Sequence, residues 1–222
     1  MRNISVHIYF FNSSNNLINI QQVIRDLKVR TNVILNQFRS LSWQARVTLF
    51  LSQCSSLYGC PLWNLDDPNV EKLCTAWKVC CRKIIGFKPD SRSDLLHHLM
   101  NTLPIRDMIM YRMLCFYKSG LHHGNEMISK FFKNSLLSSS SHLVKNVNTI
   151  LRHVELDYNY IFTENRKDSL KVIFYNNMSK PDWRKSILTE LLDINENLVS
   201  CVLNKEEVNA LIDHISRSRL YP

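Results

Sequence analysis

The stretch Leu41–Trp63, LSWQARVTLFLSQCSSLYGCPLW, constrains this chain more than any other. Trp43, Val47, Phe50, Cys54, Leu57 and Tyr58 recur at helical steps, so a helix gathers them into one broad apolar stripe. Ser42 stands where an N-cap belongs, its hydroxyl placed to accept from a free N–H of the first turn. Gly59 is the expected stop, because glycine takes the left-handed cap conformation without a Cβ clash. Pro61 then forbids the helix to resume. Leu62 and Trp63 follow the break, which predicts that a large aromatic folds back onto the helix just left.

The flanking sequence is helical as well. Over Ile20–Arg39, the residues Ile20, Ile24, Leu27, Thr31, Ile34, Leu35 and Phe38 share one face. Arg25, Lys28, Asn32, Asn36 and Arg39 share another, at steps of three or four. The link to the next helix is short, so the two should pack antiparallel. Asp67-Pro68 opens a third helix, a cap followed by a first-turn proline. Its stripe is Val70, Leu73, Cys74, Trp77, Cys80 and Ile84. Lys78, Arg82 and Lys83 form its basic end, and Gly86 and Pro89 close it. Ser93–Met100 reads as a short helix. Pro104 opens a long one with Ile105, Met108, Ile109, Met113, Phe116 and Tyr117 inward, ended by His122-His123-Gly124. Glu126–Leu137 is a further helix.

Serines 138–141 form a linker and mark the candidate domain boundary. Beyond it Leu143–Val154, Glu164–Met178, Trp183–Leu203 and Glu206–Ser216 have helical patterns whose pairing the sequence does not reveal. Residues 1–19 read as a leader, frayed or with a short strand at Val6–Phe11 before a polar turn at Asn12–Asn16. The expectation is an all-α protein. A bundle of about three long antiparallel helices in the first third is followed by further, irregular helices. A helical domain covers 20–137 and a C-terminal helical region covers 142–222.

Composition narrows the chemistry. Four glycines in 222 residues are too few for a glycine-rich nucleotide fold or an all-β protein. Seven cysteines, an odd number without framework spacing, predict a reduced chain inside the cell, nuclear or cytoplasmic. No apolar run approaches the roughly 20 residues that span a bilayer, so no membrane partner is expected. Ile4–Phe11 is broken by His7 and lacks a small-residue cleavage site, so no signal peptide is expected. Cys74, Cys80 and Cys81 contain no C-x2-C, and His97-His98 and His122-His123 are adjacent pairs that leave a helix in different directions. They predict core thiols and no metal site. Walker A, G-x-S-x-G and H-E-x-x-H motifs are absent, and the carboxylates are scattered. No catalytic residue, cofactor or small-molecule substrate is expected.

The net charge is +9, and it is uneven. Residues 1–88 hold eleven Lys/Arg against four Asp/Glu, a net +7. Residues 89–145 carry a net +3 and residues 146–222 a net −1. A basic block beside a neutral one predicts a polyanion site in the first block. Arg25, Lys28, Asn32, Asn36 and Arg39, cations with amides between them, suit a helix laid along a phosphate backbone. Arg46 is grouped with them, and Lys78, Arg82 and Lys83 form a second set. The competing expectation is that this face is only wet, and that the chain is a helical protein-interaction module.

Four blocks, in order, resemble the segment after the palm of LINE-type (non-LTR, jockey-like) retrotransposon reverse transcriptases. They are Ser42-Trp43 with Arg46 and Phe50; Leu57-Tyr58-Gly59 with Pro61-Leu62-Trp63; Ala76-Trp77 with Arg82-Lys83-Ile84-Ile85; and Leu95-Leu96 with Leu103-Pro104-Ile105, Arg112 and Phe116. The resemblance covers about Ile20 to Phe116 and implies a helical thumb that grips a template–primer duplex. Two departures stand out. Phe87-Lys88-Pro89 and Ser91-Arg92 replace the family's Leu-Pro-x-x-Thr-His run. The aromatic-Ala-Asp-Asp turn, whose aspartates hold magnesium in such enzymes, is missing, and Asp66-Asp67 has the wrong neighbours. The resemblance therefore implies a fragment without polymerase activity of its own. Its remaining role would be binding an RNA/DNA duplex, or it is a pseudogene product without function. Oligomeric state is left open.

Overall fold

In the computed structural model the described residues are 13–89, 93, 96–137, 141–162 and 167–176. Their regular structure is helical, with no strand among them. The expected strand at residues 6–11 and the helices expected over 183–203 and 206–216 lie outside the described residues. Helices α1 (Ser13–Gln37), α2 (Trp43–Cys54), α3 (Pro68–Ile85), α4 (Leu96–Leu99), α5 (Ile105–Leu121), α6 (Glu126–Leu137), α7 (His142–His153) and α8 (Lys167–Asn176) follow in order. Short 3-10 turns occupy Cys60–Leu62 and Tyr158–Phe162. Helix α1 begins earlier than its apolar stripe, so Ser13–Asn16 is helix where a polar turn was expected.

The helix ends follow local chemistry. The Ser42 hydroxyl accepts from the Ala45 N–H at 3.3 Å, and the Asp67 carboxylate from the Asn69 N–H at 2.8 Å. Pro68 fills the first turn of α3, and Gly86 closes it at φ 90°. Helix α2 stops at Cys54, a turn before the expected glycine. Leu57 then turns into the left-handed region at φ 44°, which a continuing helix does not allow. Gly59, at φ 80°, starts the 3-10 turn instead of ending the helix. This break of period sends Tyr58 into solvent at 88% exposure, although it continues the α2 stripe on paper.

Trp63 does fold back, 1% exposed, and the chain holds it there from two sides. The Tyr117 hydroxyl donates to the Pro61 carbonyl at 3.1 Å, and the Asn146 amide donates to the Trp63 carbonyl at 2.7 Å. Phe50 meets Trp77 with ring centroids 4.9 Å apart. Burial of a ring like Phe50 contributes about 2 kcal/mol.

Helix α1 lies on both α2 and α3. Arg30 donates to the Gln53 carbonyl, and Asn19 lies by Gly59, so α1 runs against α2. Phe50 faces Trp77 and Cys54 lies near Cys80, so α2 and α3 run the same way where they touch. The antiparallel packing expected of three helices is thus seen for α1 with α2, whereas α2 and α3 run the same way where they touch. The connection over 55–67 is long enough to return the chain along α2, at up to about 3.5 Å per residue. Helices α5, α6 and α7 then pack together, and α8 closes on α5 through Tyr111 and Phe174, 6.0 Å between centroids. Val147, Ile150 and Ile161 share one core with the residues before the serine run.

Candidate nucleic-acid interface

Helix α1 presents its polar stripe to water. Arg25, Lys28, Asn32 and Asn36 are exposed, and so is Arg39 in the turn just after the helix. At 1.5 Å per residue the stripe runs about 20 Å, and its charged or amide groups recur every 4.5–6 Å or so. Phosphates recur about every 3.4 Å of axis along one strand, so successive groups can reach every first or second phosphate.

Lys83 of α3 approaches the same stripe. Thr31 of α1 is hydrogen-bonded with the Cys80 thiol, so the helices touch there. Burial raises the Cys80 pKa, while Lys83 and Lys28 both act to lower it. Two exposed lysines from two helices therefore flank one contact.

The other predicted residues go elsewhere. Arg46 is 1% exposed on the buried face of α2, together with Trp43, Val47, Phe50 and Cys54, so it cannot reach a phosphate. This is a correction, and the spacing explains it. Arg46 lies three residues after Trp43 and four before Phe50, at the stripe's own steps. Arg82 is half-buried and donates to the Ser93 hydroxyl, tying the end of α3 to the segment that follows. Lys78 is exposed, but it borders a cavity between α3 and α5, away from Lys83 on the helix wheel. The structure therefore brings together Arg25, Lys28, Asn32, Asn36, Arg39 and Lys83, and separates Arg46, Lys78 and Arg82 from them. Arg30 is exposed too, but its donation to the Gln53 carbonyl gives it a role in joining α1 to α2.

Among the described residues no group of three or more His, Cys, Asp or Glu side chains is placed to hold a metal ion. The thiols are core groups: burial pushes Cys54, Cys60 and Cys74 up to about 11. Among the described residues no helix is long and apolar enough to cross a membrane. Comparison with protein-family models, with curated proteins and with solved structures gives no match for the chain.

Proposed function

We propose that the α1 face, extended by Lys83, binds a nucleic-acid duplex through its phosphates. On this reading the chain is a thumb-like segment of a non-LTR retrotransposon reverse transcriptase. The observation that carries it is the joint exposure of Arg25, Lys28, Asn32 and Asn36 on one helix and of Arg39 just after it, with Lys28 and exposed Lys83 both near Cys80 where α1 meets α3. The four sequence blocks support a family origin of that kind. Each cation that neutralises a phosphate releases a counterion, so affinity should fall steeply with salt. Four such contacts give a slope of about −3.6 in log affinity against log salt on duplex DNA.

Mobility shift of an RNA/DNA hybrid across a salt series tests this. Arg25→Glu with Lys28→Glu should weaken binding at least tenfold and flatten the slope by about two contacts. Arg46→Met should leave the slope unchanged. Binding that ignores salt, or survives the double reversal, overturns the reading.

A second reading rests on α6. Met127, Phe131 and Leu137 are 77%, 62% and 84% exposed, more than solitary surface apolar residues need. A nuclease-resistant protein partner lost on Phe131→Ser would favour a protein-interaction module.

A further inference from the structure

A cavity of about 130 Å³ lies where α3, α4 and the start of α5 meet, away from the α1 face. Its walls are largely apolar: Cys74, Trp77 and Cys81 from α3, Leu96 from α4, Ile105 from α5. An apolar cavity of roughly 150 Å³ holds a benzene ring, so this space suits one ring or a branched chain.

Three features set a charge preference. Thr102 lines the cavity and is 8% exposed, and its backbone N–H donates to the His97 carbonyl at 3.0 Å. Its hydroxyl has no hydrogen-bond partner among the described residues. Lys78 and Arg106 both border the space, against the single carboxylate of Glu71. Arg106 holds Glu71 at 3.3 Å, and Lys78 has no ion pair among the described residues. Pro104 gives α5 no side-chain cap, so the positive end of that helix, Ile105 and Arg106, borders the cavity as well.

We propose that this cavity binds a small monoanionic acid with a one-ring or branched apolar body. The body lies among Trp77, Cys74 and Cys81. The carboxylate takes the Thr102 hydroxyl as donor and Lys78 as counter-charge. The site is independent of the duplex face, since Thr102 belongs to no part of it.

Calorimetric titration of the full chain with benzoate, toluene and acetate tests the proposal. Benzoate should saturate with a Kd of about 1 mM or below, and toluene and acetate should bind at least tenfold more weakly. Thr102→Val keeps the shape and removes the donor. It should weaken benzoate about tenfold, leave toluene unchanged and leave duplex binding intact. Lys78→Met should weaken benzoate similarly. A cooperative thermal melt of each variant establishes that it is folded. No saturation by benzoate on a cooperatively melting chain overturns the proposal. So does toluene binding as tightly as benzoate, or benzoate binding that neither substitution changes.

Discussion

Asn146 is a buried polar residue on which two distant segments depend. Its side-chain oxygen accepts from the Leu65 N–H at 3.0 Å while its amide donates to the Trp63 carbonyl. Replacing it with leucine leaves two buried backbone groups unpaired, at about 1–3 kcal/mol each. Asn146→Leu should therefore cost about 3 kcal/mol, read as a lowered denaturant midpoint with an unchanged slope. The sequence shows Asn146 as an intruder beside Val147 in an apolar stripe. It does not show the partners, because backbone groups carry no sequence signal. The thiols make a second residue-scale prediction. The folded pKa of Cys54, Cys60 and Cys74 is raised from 9.0 to about 11, first by burial. The native chain thus keeps protons that the unfolded chain releases. The stability is fully present below about pH 9 and is lost as pH rises towards about 11. Cys74→Ala should make that alkaline fall shallower, by up to about 1 kcal/mol per pH unit. Urea midpoints at pH 8.5 and 10.5 check it.

At the scale of elements, the crossing of α5 and α6 is set by a missing side chain. A Cβ built on Gly120 would lie 2.4 Å from the Phe132 ring, which is itself 8% exposed and has little room to withdraw. Gly120→Ala should destabilise by about 1–3 kcal/mol, and Phe132→Leu in the same chain should recover most of that. Thermal melts of the two variants decide it. Helices with complete punctuation were legible to the residue: Asp67-Pro68 and Gly86 bound α3 where the sequence places them. Helix α2 was not, because its apolar period continues past the residue where the backbone leaves the helix. Exposure of the α1 stripe follows from period alone. Arg46 was misassigned because its charge outweighed its spacing. The cavity left no trace in the pattern, since Thr102 sits in a turn between helices and its neighbours come from three elements.

For the whole molecule, the serine run separates elements without separating cores. Ser141 caps α7, accepting from the Leu143 N–H at 3.2 Å, and α7 delivers Asn146 to the loop that holds Trp63. Lys118 of α5 donates to the Tyr160 carbonyl at 3.0 Å, so the turn after α7 is fastened to the helix before the linker. His153 lies 3.0 Å from Asp107, a further link between α7 and α5. Composition suggests a boundary at 138–141 but carries no information on whether the elements on either side share a core. That depends on what the far side covers. Val147, Ile150, Leu151 and Ile161 lie in the same buried cluster as Trp63, Met113 and Tyr117. Removing them would expose that cluster, at about 25 cal/mol for each Å² of apolar surface opened, and would leave the Trp63 carbonyl and Leu65 N–H without partners. A chain ended after Leu137 should therefore lose its cooperative melt, while the full chain shows one transition for far-ultraviolet circular dichroism and tryptophan fluorescence together. A truncated chain that melts cooperatively at the same temperature would show that residues 13–137 form an independent domain, and the duplex face would then stand without α7.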